Sequence, residues 1–116
     1  MQNDVEKLKE LEEMKRIFGL EVREFEEGGY SYVYIPGLKM PPGCTPVQTD
    51  ALLCPQSHSG YPSRLFLKEA IQTSKAVNWN GQAFLLGHQW HAFSYNNVAN
   101  MSRANMVMSH LRGMTE

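Results

Sequence analysis

Cysteine is scarce: the 116 residues hold two, Cys44 and Cys54. Two thiols cannot build a dense disulfide framework, so they read as reduced cysteines of a cytosolic protein. Long apolar runs are missing as well, and none approaches the roughly 20 residues that span a bilayer. The charged N-terminus lacks the apolar core of a secretory signal, so a soluble, cytoplasmic protein is expected. Charge of one sign is also lacking: 11 Lys and Arg face 12 Asp and Glu, a formal net charge of -1. That balance leaves no basic footprint for nucleic acid and no cationic face for an anionic membrane. There is no internal repeat, no low-complexity tract and no Gly-rich phosphate loop, since Gly28-Gly29 is not followed by a Gly-Lys pattern.

What is present is an ordinary globular balance, 42% hydrophobic and 20% charged, in a length that fits one domain over residues 1–116. Asn3 to Phe18 reads as an amphipathic helix. Asn3 and Glu6 have capping-box spacing, Val5, Leu8, Leu11, Met14 and Phe18 recur at three- and four-residue steps, and Gly19 stops it. Glu21–Phe25 and Tyr30–Ile35 flank Gly28-Gly29 as a hairpin. The prolines and glycines between Pro36 and Gly43 predict an irregular stretch over Leu38–Thr45, which leaves Cys44 in an exposed loop. Thr49–Cys54 is nearly all apolar and predicts a strand covered on both faces, with Cys54 packed as a small hydrophobe. Arg64–Leu67 predicts a fourth strand.

Ala70 to Asn97 shows no clear periodicity. It reads as a long ordered loop anchored by Trp79, Phe84, Trp90 and Phe93. A closing helix is expected from about Asn100 to Arg112, with Ala104, Val107, Met108 and Leu111 on one face and Gly113 at its end. The fold class is therefore α+β: an N-terminal helix, a four-stranded antiparallel meander, a long ordered loop and a C-terminal helix.

Several short motifs stand in a telling order: Pro41-Pro42-Gly43, Tyr61-Pro62, Gly87 with Trp90 and Ser94, and His110-Leu111. With the run from Ile35 to Leu67, they make the chain resemble ubiquitin-conjugating (E2, UBC-fold) proteins, and more narrowly the bacterial E2-like proteins of prokaryotic E2 family E. The resemblance implies a UBC-like fold and a part in conjugating a ubiquitin-like protein, beside an E1-like activating enzyme. It implies no metal and no organic cofactor.

An E2 enzyme takes an acyl group onto a thiol and passes it to an amine, with an amide side chain stabilising the oxyanion. By resemblance the thiol belongs just after a flap, here Asn80-Gly81-Gln82-Ala83-Phe84, yet no cysteine follows Cys54. A hydroxyl beside an imidazole is the general recipe for an oxygen nucleophile. Ser94 is the candidate acceptor, His91 or His88 its base, and Asn97 an oxyanion donor. On a regular strand His91 and Ser94 would face opposite sides, so the recipe needs a bend there. Tyr61, Trp90, Asn80 and Gly81 are candidate partner-binding residues, although Trp90 also reads as a core anchor and Tyr61-Pro62 as a structural turn. A zinc site drawn from Cys44, Cys54, His58, His88 and His91 lacks the paired spacing that such sites show. The competing reading is a non-catalytic UBC-fold module that holds a ubiquitin-like protein or its E1.

Overall fold

The structure, a computed structural model, describes residues 4–73, 75–95 and 98–115. The first helix, α1, spans Asp4–Phe18 and stops at Gly19, whose amide donates to the Lys15 carbonyl. Asn3, the expected cap, lies outside the described residues. Of the predicted apolar stripe, Met14 is buried and Leu11 and Phe18 pack against the core. Val5 and Leu8 stay about 60% exposed. The core takes up only the C-terminal half of the helix.

The strands β1 (Arg23–Glu27) and β2 (Tyr30–Lys39) form the expected hairpin. Gly28 and Gly29 both take positive φ, as a two-residue turn that matches the strand twist requires. β2 runs past the predicted stop at Ile35, because the Pro36-Gly37 step is absorbed as a bulge: the register against the next strand shifts between Ile35 and Leu38. The freed Gly37 amide donates to Asp50 Oδ1 at 2.9 Å. This continuation takes Leu38 and Lys39 out of the irregular stretch expected over Leu38–Thr45, while Met40 to Cys44 are irregular as expected. The chain then folds back, Met40 N donating to the Val47 carbonyl, and Cys44 ends in the core rather than in an exposed loop.

β3 (Gln48–Cys54) and β4 (Arg64–Leu67) continue the antiparallel meander. The segment expected to be a loop then supplies a second hairpin, β5 (Gly81–Leu85) and β6 (His88–Ala92). Six strands lie in the order β1-β2-β3-β4-β6-β5, so the four-stranded sheet expected from the sequence is corrected to six. Trp90 and Phe93 anchor this region as predicted, and Trp79 packs edge-on against Phe93. Phe84 does not, being 63% exposed on the outermost strand.

Strand twist accumulates over six strands and curls the sheet. At one corner the β1–β2 turn meets the β5–β6 turn, where Leu86 N donates to Glu27 Oε1. The curl explains how β3 is buried on both faces. Ala51 and Leu53 face the helices with Val33, Ile35, Leu65 and Leu67. Leu52 and Cys54 lie on the opposite face with Tyr32, Phe66, Leu85 and Trp90.

The second helix, α2, spans Arg103–Arg112. It begins after Ser102, whose side chain accepts from Asn105 N, and not at Asn100, which takes a positive φ. Its first residue fastens three elements together: Arg103 is buried, and its guanidinium meets Glu24 of β1 at 2.8 Å and Glu10 of α1 at 3.8 Å. No helix among the described residues is long and apolar enough to cross a membrane.

Candidate functional site: a tyrosine held by an amide, a hydroxyl and a buried arginine

Tyr61 stands at the end of a tight turn in which His58 and Tyr61 exchange two backbone hydrogen bonds. Ser59 and Gly60, between them, both take positive φ. The His58 ring packs tilted against Tyr30 and meets Phe66 edge-on, which seats the turn on the aromatic face of the sheet. Burial and the nearby Arg64 charge lower the His58 pKa. Two residues beyond Tyr61, Ser63 donates to the Val98 carbonyl and lies 3.1 Å from His110 Nε2. The segment 58–64 is thus fixed at both ends.

Arg64 opens β4 and is 3% exposed. Its Nη2 donates to Asn80 Oδ1 at 2.7 Å and to the Phe93 carbonyl at 3.1 Å. The guanidinium carbon lies 4.2 Å from the centroid of the Tyr61 ring, in cation–π geometry. Among the described residues Arg64 forms no ion pair, and burial lowers its pKa. A cation taken out of water without a carboxylate leans on every dipole that it can reach, and here these are an amide oxygen, a backbone carbonyl and a ring face.

Asn80 passes this contact on. Its Nδ2 donates to Tyr61 Oη at 2.9 Å, and Tyr61 Oη lies 2.7 Å from Ser94 Oγ. The phenol therefore sits between a donor amide and a hydroxyl. The hydrogen bond to Ser94 and then that from Asn80 lower the Tyr61 pKa; desolvation opposes them, and the charge of Arg64 adds a lesser lowering. Gly81 is required at its place: a Cβ there would come within 2.9 Å of the guanidinium carbon. Ser94 is placed by its amide, which donates to the Asn78 carbonyl.

Of the residues predicted from the sequence, the structure brings together Ser94, Tyr61, Asn80 and Gly81. It does not bring the histidines to Ser94. His88 Nε2 lies 3.2 Å from the Lys68 carbonyl, and its ring meets Trp90 edge-on. His91 pairs across the sheet with Gln82 and Leu67, and makes no side-chain hydrogen bond among the described residues. β6 ends at Ala92, so Ser94 does leave the strand as the recipe needed, but it turns to Tyr61. Asn97 lies outside the described residues. Trp90 is buried and donates to the Leu85 carbonyl, so it presents no surface to a partner.

Sequence reasoning missed Arg64. Its signal was present: a charged residue opening an otherwise apolar strand must find partners when that strand is buried.

Neither thiol is a nucleophile in this setting. Cys44 and Cys54 are both buried, and desolvation raises both pKa values. They belong to different faces of the sheet, and among the described residues no three His, Cys, Asp or Glu groups converge as a metal site. A cleft of about 920 Å³ between α1 and the start of α2, lined by Glu6, Lys9, Glu10 and Met101 among others, shares no residue with the Tyr61 cluster. Compared with known protein families, curated proteins and solved structures, the chain matches none.

Proposed function

We propose that this chain is an E2-like, UBC-fold component of a bacterial system that conjugates a ubiquitin-like protein. In that role it accepts or positions the C-terminus of the ubiquitin-like protein delivered by an E1-like enzyme in the cytoplasm. The observation that carries the reading is the junction at Tyr61 Oη. Two motifs of the resemblance, Tyr61-Pro62 and Asn80-Gly81, are far apart in sequence, yet they meet there through the 2.9 Å bond from Asn80. An asparagine amide near an acceptor atom places a hydrogen-bond donor close to where acyl transfer develops negative charge. The acceptor atoms at hand are oxygens, because both thiols are buried. The order of helix, antiparallel meander and closing helix also supports the reading.

A second reading, a non-catalytic module that holds the ubiquitin-like protein or its E1, is favoured by one specific observation. Among the described residues Ser94 has no histidine hydrogen-bonded to it to take its proton. The two readings separate when the chain is incubated with a cognate E1-like enzyme, ubiquitin-like protein and ATP, and its intact mass is read. An adduct of one ubiquitin-like protein that survives thiol reductant supports the acceptor. Non-covalent binding without an adduct supports the module. Neither binding nor an adduct refutes both.

A further inference from the structure

We propose that the acyl-accepting atom is the phenol oxygen of Tyr61, with Asn80 and Arg64 as the groups that stabilise its anion and Ser94 as a positioning residue. This rests on the E2-like reading above and names the atom that it leaves open.

Leaving-group chemistry favours a phenol over the Ser94 hydroxyl. An E2 intermediate must stay reactive toward amines, so the atom carrying the acyl group must leave readily as an anion. A phenol ionises near pH 10 and a thiol near 8.5, each to an oxygen or sulfur anion that leaves in water. An aliphatic hydroxyl ionises far higher, so its ester stores less transfer potential. An aryl ester is the oxygen species closest to a thioester.

Geometry favours Tyr61 as well. Its Oη receives the Asn80 amide hydrogen at 2.9 Å, and its ring lies 4.2 Å from a buried guanidinium that no carboxylate neutralises among the described residues. Both contacts strengthen as negative charge develops on the oxygen. The charged group facing Tyr61 is Arg64 on β4, and Asn80 and Ser94 are the neutral ones; His58 pairs with Tyr61 through the backbone and turns its ring to Tyr30 and Phe66. The lowered pKa of Tyr61 agrees with this setting. Tyr61 is half-buried and the neighbouring Pro62 is exposed.

The step balances. Tyr61 Oη attacks the carbonyl carbon of the thioester that joins the ubiquitin-like C-terminus to the E1-like enzyme. The C–S bond breaks, the E1 thiolate leaves, and the phenol proton passes to solvent. In the second step an amine attacks the ester carbonyl. The C–O bond breaks, phenolate leaves and regains a proton, and an amide remains.

The test needs neither the E1-like enzyme nor the ubiquitin-like protein. The full chain is treated with S-phenyl thioacetate, and acetylated residues are mapped by peptide mass spectrometry with and without hydroxylamine, which removes O-esters and spares lysine amides. Tyr61 should be acetylated at least about tenfold faster than Tyr30 or Tyr95, as expected for an activated nucleophile. Asn80→Leu should lower its rate at least about fivefold while the near-UV circular dichroism is kept. Equal labelling of the tyrosines, or an ester on Ser94, overturns the proposal without any variant having to fold. An E1-dependent adduct mapped to a residue other than Tyr61 keeps the conjugation reading and overturns this assignment. Acetylation of Tyr61 by the thioacetate with no E1-dependent transfer does the reverse.

Discussion

Lowering the pH should weaken this fold through His110. The imidazole is 2% exposed. Its Nε2 lies 3.1 Å from Ser63 Oγ, and because the Ser63 hydroxyl donates to the Val98 carbonyl, Nε2 carries the hydrogen and donates. Phe93 and Tyr95 close over the ring. Among the described residues a proton added here has no carboxylate to meet, and it would face the Arg64 charge. Desolvation first and Arg64 second push the His110 pKa down from 6.5 to about 4. The sign follows. Above pH 6.5 the imidazole is neutral in both folded and unfolded chains, so it makes no difference to stability. Between 6.5 and 4 the unfolded chain binds a proton that the folded chain refuses, so stability is lost as the pH falls. A gap of about 2.5 pH units, at about 1.4 kcal/mol per unit, gives a loss of about 3 kcal/mol by pH 4. Urea unfolding of the wild type and of His110→Phe, followed from pH 7 to pH 4, isolates this group from the others that titrate. The wild type should lose about 3 kcal/mol more than the variant over that range. Two parallel curves would refute the reasoning.

Arg103→Met strips Glu10 and Glu24 of their shared cation. With both carboxylates only about a quarter exposed, a loss of about 3 kcal/mol in urea unfolding is expected. Gly81→Ala drives a methyl group into the Arg64 guanidinium. It should cost about 1–3 kcal/mol and should also slow Tyr61 acetylation, whereas an unchanged acetylation rate would separate Arg64 from the reactivity. Trp90→Phe removes the buried hydrogen bond to the Leu85 carbonyl and should cost about 1–3 kcal/mol in the same assay. Cys44 and Cys54 should react with Ellman's reagent at least about a hundredfold more slowly in the folded chain than in urea. Rapid labelling of either thiol would contradict their burial.

The local signals of the sequence were read well where they act locally. Gly28-Gly29 set the first hairpin, the apolar run ending at Cys54 announced a strand covered on both faces, and Arg64–Leu67 marked β4. The second hairpin was missed because its turn is written by Leu86 and Gly87, and Leu86 takes a positive φ that its residue type does not advertise. Cys44 was misplaced because the Pro36-Gly37 bulge, which looks like a stop, lets β2 continue and carries the chain back into the core. At the site, Ser94, Tyr61, Asn80 and Gly81 were all named from the sequence, but their pairing was not. Ser94 was matched to histidines three and six residues away, whereas its partner stands 33 residues earlier. Sheet curl and the turn at Tyr61 made that contact, and neither is encoded near Ser94.

The central claim is that Tyr61 carries the acyl group, and its most direct measurement is the intact mass of wild-type and Tyr61→Phe chains after incubation with the E1-like enzyme, ATP and the ubiquitin-like protein. The wild type should gain one ubiquitin-like protein through a bond that resists thiol reductant and yields to hydroxylamine, and Tyr61→Phe should gain none. An adduct that persists in Tyr61→Phe, or one that thiol reductant removes, would contradict it.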